Sequence, residues 1–500
     1  MELLHNLALG FQVALGLHNL FYCFVGVVLG TLIGVLPGIG PVATISMLLP
    51  ITFTLEPTSA LIMLAGIYYG AQYGGSTSAI LVNLPGEASS VVTCLDGYAM
   101  ARAGRAGEAL AIAAIGSFFA GCVATLILAA AAPPLAELAF KFGAAEYFSL
   151  MVLGLVAAVV LAQGSLIKAV AMILLGILLG LVGMDTTTGD QRYTFDLPEL
   201  SDGIGFVVVA MGLFGFAEII VNLERGENRE VLSQKLGRLF PAREEFGRAW
   251  RAILRGTGIG SVLGVLPGGG ALLGSFASYM VEKRLAKDSS RFGNGAIEGV
   301  AGPESANNAG AQTSFIPMLT LGIPPNAVMA LMIGAMTLHG IQPGPQVMAR
   351  QPELFWGMIA SMWVGNLMLV ILNLPLIGVW VRLLSVPYRL LYPAILLFCT
   401  IGLYSLQSSV LDVFLATGFG LLGYVFIKLG CEPAPLLLGF VLGPMLEDNF
   451  RRALTISRGD ATVFLTQPIS GALLAAAAAL LVIVIAPNVR RAREQAFQEA

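Results

Sequence analysis

The sequence predicts an all-α, polytopic membrane fold: a transmembrane helical bundle of roughly ten to twelve spans, built as two inverted repeats that each carry a broken-helix, re-entrant hairpin. Three observations predict it. Of 500 residues, 57% are hydrophobic and 11% charged, and the mean hydropathy is +0.83, whereas soluble domains carry about 25% charged residues. Apolar runs recur from end to end, among them 21–36, 109–132, 148–162, 169–182, 206–221 and 473–486. In lipid every backbone polar group must be paired internally, so runs of this length are helices. Finally, one Gly/Pro-rich stretch occurs twice.

The N-terminal segment, residues 1–16, has no basic n-region and reads as a mature interfacial or membrane helix rather than a secretory signal. No Lys or Arg precedes Arg102, while the stretch 224–255 carries eight. The positive-inside rule makes that stretch cytoplasmic. It divides the chain into a first membrane repeat (1–223), a basic cytoplasmic connector (224–255) and a second membrane repeat (256–500) ending in a cytoplasmic tail with Arg490, Arg491 and Arg493. Arg102 and Arg105 share the connector's side if four spans lie between them.

The duplicated stretch is Gly30-Thr-Leu-Ile-Gly-Val-Leu-Pro-Gly-Ile-Gly40 and Gly260-Ser-Val-Leu-Gly-Val-Leu-Pro-Gly-Gly-Gly270, with seven of eleven positions identical. A looser echo follows each copy: Gly75-Ser-Thr-Ser78 leads to Pro85, and Gln312-Thr-Ser314 to Pro324. One copy is approached from a terminus without basic residues and the other from the basic stretch, which favours an inverted repeat. Each Leu-Pro-Gly-x-Gly lies between apolar arms of about a dozen residues, about 18 Å of helix, which reaches little beyond the bilayer midplane. Proline removes a donor and glycine permits tight turns, so Pro37, Gly38, Gly40, Pro267, Gly268, Gly269 and Gly270 form hairpin tips that expose helix ends. Such ends suit carboxylates, and unwound carbonyls suit Na⁺. The plainer use of the motif is a proline kink with glycine packing; its duplication, with hydroxyls after each copy, favours a ligand site.

The second ingredient is polar and uncharged: Tyr73, Ser76, Thr77, Ser78 and Asn83 in the first half, and Asn307, Asn308, Gln312, Thr313, Ser314 and Asn326 in the second. These groups bind an anion by donated hydrogen bonds, or serve as interhelical bonds and caps. Glu304 is a candidate coupling carboxylate, with a solvated loop residue as the alternative. Lys168, Glu218, Asp412 and Lys428 sit near predicted span ends and read as snorkelling side chains.

Other classes find little support. A net charge of −3 with no basic patch excludes a nucleic-acid partner. No His-Glu-x-x-His and no Gly-x-x-x-x-Gly-Lys-Ser/Thr is present, against a zinc peptidase or an ATPase. The five cysteines are far apart without CxxC spacing and read as buried thiols. A membrane-embedded enzyme needs catalytic pairs that are not found, and a passive organic-anion channel needs a filter signature that is absent.

Several stretches resemble one known family. They are Gly34-Val-Leu-Pro-Gly-Ile-Gly-Pro41, Tyr68-Tyr-Gly-Ala-Gln-Tyr-Gly-Gly-Ser-Thr-Ser78, Asn83-Leu-Pro-Gly-Glu-Ala88 and Leu95-Asp-Gly-Tyr-Ala-Met-Ala-Arg102. The second half adds Glu298-Gly-Val-Ala-Gly-Pro-Glu-Ser-Ala-Asn-Asn-Ala309, Leu321-Gly-Ile-Pro324 and His339-Gly-Ile-Gln-Pro-Gly-Pro345. Over nearly its whole length the chain resembles the large membrane permease subunit of bacterial tripartite tricarboxylate transporters. The resemblance implies a secondary transporter in the bacterial inner membrane that works with a small membrane subunit and a periplasmic solute-binding protein. Its substrates would be di- and tricarboxylates such as citrate, moved with Na⁺ or H⁺ as coupling ion and no other cofactor, by an elevator-like motion. One departure is Pro325-Asn326, where the family often has Gly-Ser.

Overall fold

The computed structural model describes residues 2–36, 40–161, 165–185, 188–225, 238–266, 270–383 and 388–485. Tip residues Pro37, Gly38, Pro267, Gly268 and Gly269 therefore lie outside the described residues, as does the C-terminal tail. The first half runs α1 (Glu2–Ala14), α2 (Leu17–Val35), α3 (Pro41–Thr52), α4 (Pro57–Val82), α5 (Ala106–Ala139), α6 (Ala144–Leu161), α7 (Leu166–Gly180) and α8 (Phe206–Glu224). The second runs α9 (Arg243–Gly264), α10 (Gly270–Leu285), α11 (Glu298–Thr313), α12 (Phe315–Leu321), α13 (Ala327–Leu338), α14 (Pro352–Asn373), α15 (Tyr388–Gln407), α16 (Val410–Lys428), α17 (Pro433–Ile456) and α18 (Pro468–Ile485). A two-residue antiparallel ladder, Gly183–Met184 with Gln191–Arg192, interrupts the helices after α7. From Arg243 onward the basic stretch 224–255 is helical and forms the first turns of α9.

Five helices among the described residues are long and apolar enough to cross a membrane, and six shorter apolar helices accompany them. Large apolar side chains face outward on these helices, including Leu17, Phe21, Ile167, Phe414 and Val482. The interior is largely apolar as well, but it gathers polar groups on two helices. In α4 every residue from Ser59 to Val82 is buried, and α11 is buried throughout although it carries Glu298, Glu304, Asn307, Asn308 and Gln312. An apolar exterior around a polar centre is what lipid as a solvent selects. The protein is a multi-pass membrane protein.

Glycine sets the packing at the centre. Gly26, Gly30 and Gly34 of α2 lie against the backbone of Met63, Ile67 and Ala71 of α4, and Gly256, Gly260 and Gly264 of α9 lie against Gly302, Ala306 and Gly310 of α11. A Cβ at any of these six positions would fall inside 3.0 Å of a facing carbonyl. Both partners advance by four residues at each step, so each pair is parallel, held by small-residue packing. The same contacts align the halves: Gly30 corresponds to Gly260 and Ala71 to Gly310, which places Asn83 on Gly322, Pro85 on Pro324 and Glu87 on Asn326. In this register Gln312-Thr-Ser314 falls on Tyr73-Gly-Gly75, about one helical turn before the hydroxyl cluster that the sequence echo paired with it.

The two pairs cross in opposite senses. Tyr68 of α4 packs on Phe315, just past the end of α11, with ring centroids 6.3 Å apart, while Ser76, further along α4, donates to Glu304, further back in α11. On one face Arg105 pairs with Glu108 and Glu245, each at 2.7 Å, and Arg248 and Arg291 both reach Glu298, at 2.9 and 3.0 Å. These pairs draw the turn after Arg102 and the start of α9 together, in keeping with a shared side. Elsewhere Arg192 and Arg451 meet Asp185 and Glu447, fastening the short ladder to α17.

Candidate functional site

A cavity of about 280 Å³ opens where the described edges of both tips meet. It is small for a ligand pocket, on a scale that suits a compact organic acid. Gly40, Pro41 and Val42 at the start of α3 line it from the first tip, and Gly270, Ala271 and Leu272 at the start of α10 line it from the second. Asn326, Ala327 and Val328 present the start of α13, and Glu432, Ala434 and Pro435 that of α17. Tyr68 and Gln72 of α4 and the turn Glu87–Ser89 complete the wall. Four helix N-termini thus converge on one space. Proline at the first turn of α3 and of α17 is tolerated because that N–H has no intrahelical acceptor in any case.

The turn at Glu87 is built by a chain reversal. Asn83 ends α4 in the left-handed region (φ 57°), Pro85 follows, and the chain returns so closely along α4 that Gly86 lies against Gly34 and Gly75. The second half repeats the device: Gly322 has φ 71°, Pro324 follows, and Asn326 caps α13 by accepting from the Met329 N–H at 2.9 Å. Both cap residues are extended, with φ of −151° for Glu87 and −153° for Asn326.

Two carboxyls bridge the halves. Glu87 accepts from the Asn307 amide at 2.9 Å and from the Ser89 hydroxyl, which also lies 3.2 Å from Gln72 Oε1. Glu304, on α11 and fully buried, accepts from Ser76 of α4 and from Thr93. Each half thus receives a carboxyl from the other. Among the described residues neither Glu87 nor Glu304 has a Lys, Arg or His partner, and the undescribed tips, residues 37–39 and 267–269, contain only Pro, Gly and Ile.

A family model described as the tripartite tricarboxylate transporter TctA family matches residues 20–438. The chain belongs to the tripartite tricarboxylate transporter TctA family. It is 62% identical over 499 residues to an Agrobacterium vitis protein described as an uncharacterized 52.8 kDa protein in the TAR-I ttuC' 3'region, covering 100% of this chain and 99% of that one. A second Agrobacterium vitis protein, described as an uncharacterized protein in the TAR-II ttuC' 3'region, is 63% identical over 240 residues, 48% of this chain and 99% of its own length. No solved structure matches. The family makes the chain a membrane component of a tripartite transporter, which implies partner subunits including a binding protein.

In this TctA-family chain the expected site residues separate into three groups. Gly40, Gly270 and Asn326 line the cavity, and Asn307 touches it through Glu87. Ser76 and Thr77 face a cleft of about 10 Å³ with Tyr73 and Ser117, roughly the space of one water. The others serve helix packing. Ser78 donates to Gly75 O, Thr313 to Ala309 O and Ser314 to Ala311 O, Asn308 donates to Ser117, and Asn83 is an exposed cap. The amide of Gln312 is buried and, among the described residues, has no partner on either atom. Among the charged side chains near span ends, Lys168 reaches the Leu429 carbonyl, Lys428 pairs with Glu224, and Asp412 lies in the first turn of α16. Tyr68, Gln72, Glu87, Ser89 and Glu432 were missed as site residues. Glu87 carried a usable signal, an acidic residue after Leu-Pro-Gly at the end of a polar helix.

Proposed function

We propose that this TctA-family protein is the permease of a bacterial inner-membrane, binding-protein-dependent transporter. It takes up di- or tricarboxylates such as citrate together with Na⁺ or H⁺, through two inverted repeats whose tips enclose the substrate. A periplasmic solute-binding protein delivers the carboxylate, and a small membrane subunit completes the assembly. The observation that carries this reading is the convergence of four helix N-termini on the 280 Å³ cavity. Each contributes about half a positive charge and unpaired N–H groups, so together they offer about two positive charges without a single lysine or arginine. A polyanion held this way is bound yet free to leave, as transport requires. Against it stand Glu87 in the wall and Glu304 behind it. With these two ionised they offset the helix-end charge, so an anion is held well only when cations enter with it, and that is the physical basis of coupling. Glu304 is the first coupling carboxyl we assign, held by hydroxyls alone.

The test is uptake of labelled citrate and other di- and tricarboxylates by vesicles containing all three components, with and without a Na⁺ or proton gradient. Gradient-dependent accumulation is expected, and uptake indifferent to both gradients refutes coupling. Ala271→Glu places a carboxylate at the first turn of α10, within the cavity, and should lower uptake at least about tenfold, with Ala271→Ser near wild type. Equal uptake by both removes the cavity from the pathway.

A further inference from the structure

We propose that Glu87, Ser89 and Gln72 of the first half and Asn307 of the second form a binding site for one sodium ion at the edge of the cavity. The inference rests on the reading of that cavity as the carboxylate site and adds the group that neutralises it. Oxygen is in excess there. The single Ser89 proton faces two acceptors, a Glu87 carboxylate oxygen and Gln72 Oε1, and satisfies one at a time. Asn307 is fully buried and spends its Nδ2 on Glu87, which leaves its Oδ1, on the same amide, without a partner among the described residues. Gln72 is 1% exposed.

An unpaired buried acceptor is costly, and the Asn307 oxygen, near a carboxylate without a cationic partner among the described residues and an oxygen pair that shares one proton, asks for a hard cation rather than another hydrogen bond. One carboxylate among neutral oxygens matches a single positive charge; divalent sites collect more carboxylates. A proton satisfies one oxygen pair and leaves the other acceptors as they are. The titratable groups that face Glu87 are Glu304 and Tyr68, and neither is cationic. Sodium here removes the charge that opposes an incoming carboxylate. Because its ligands come from both halves, it also ties α4 and the Glu87 turn to α11.

The site is tested by equilibrium binding of ²²Na⁺ to the purified full-length chain in nanodiscs, in choline buffer of fixed ionic strength and without carboxylate. Wild type should bind saturably. Glu87→Gln and Asn307→Leu should weaken binding about tenfold or more, Glu87→Asp should weaken it less, and Asp288→Asn, in an exposed loop, should leave it unchanged. All variants are first checked for monodisperse elution, and the graded Glu87→Asp response separates lost ligation from lost folding. Unchanged ²²Na⁺ binding by folded Glu87→Gln overturns the site, and so does a folded wild type that binds no ²²Na⁺ while a proton gradient drives uptake. Ala271→Glu keeps the two readings apart: ²²Na⁺ binding that persists in this variant supports the cation site even if its citrate uptake is normal and the carboxylate reading fails.

Discussion

Gly260 and Gly258 lie two residues apart on α9, and replacing each by alanine isolates the close approach that holds the second half together. A Cβ at Gly260 would stand 2.6 and 2.7 Å from Ala306 Cα and carbonyl carbon and nearer still to its oxygen, whereas a Cβ at Gly258 meets nothing within 4 Å. Ordinary contact begins near 3.4 Å, and the obstructing atoms are backbone, so no rotamer relieves the clash. The helices must part by roughly 1 Å, and overpacking of this kind costs about 1–3 kcal/mol. Gly→Ala also gains about 1 kcal/mol of helix propensity, but that gain is common to both sites and cancels in the comparison. Gly258→Ala should therefore be neutral or slightly stabilising, and Gly260→Ala less stable than it by about 1–3 kcal/mol. Denaturant unfolding of the full chain in micelles, followed by tryptophan fluorescence, reads the difference. Gly30→Ala, facing Ile67, should behave like Gly260→Ala. Equal stabilities for Gly258→Ala and Gly260→Ala would refute the parallel glycine packing and the alignment of the halves built on it.

Further perturbations test other joints. Asp96 accepts from the N–H groups of Gly293, Gly295 and Ala296 at 2.8–2.9 Å and from Tyr279 at 3.0 Å; Asp96→Asn should cost about 2 kcal/mol and speed proteolytic nicking near residues 289–295. Arg255 grips the nearly buried Glu282 through two nitrogens, at 2.7 and 2.5 Å, so Arg255→Lys should lose about 1–2 kcal/mol of stability and Arg255→Met more, since the latter strands a buried charge. Glu304→Gln should insert normally yet lower gradient-driven uptake about tenfold or more; uptake equal to wild type removes Glu304 from coupling.

Much of this architecture was legible because lipid allows few solutions. The apolar runs became helices, and the repeated Leu-Pro-Gly-x-Gly falls at the junction of α2 and α3 in one half and of α9 and α10 in the other. Its upstream glycines carried more than the motif suggested: Gly26, Gly30 and Gly34, like Gly256, Gly260 and Gly264, form the four-residue stripe of a parallel helix pair. The site was less legible. Ser76 and Thr77 stand one turn past Gln72, yet only Gln72 lines the cavity, and composition cannot tell which face of a wholly buried helix looks inward. The correspondence of the halves was obscured because the left-handed residue is Asn83 in one and Gly322 in the other, two chemistries for one backbone requirement. The start of α17 arrives at the cavity from far along the chain, and no local pattern announces it.

The most informative difference between the halves lies at Glu87 and Asn326. Both follow a left-handed residue and a proline, and both hold the same extended backbone at the cavity wall. Asn326 spends its side-chain oxygen on capping α13, a twelve-residue helix whose first N–H groups need an acceptor. Glu87 precedes the helical stretch 88–102, which opens with the turn Ala88–Ser90; it makes no side-chain cap there and reaches instead to Asn307 in the other half. The asparagine thus spends its side chain on its own helix, and the glutamate spends its longer side chain on the other half. That difference in side chain leaves Glu87 as a carboxyl in a cavity wall that also holds Glu432. On the proposed readings, one difference of side chain between two like backbone turns is what sets a cation side of the cavity apart from an anion side.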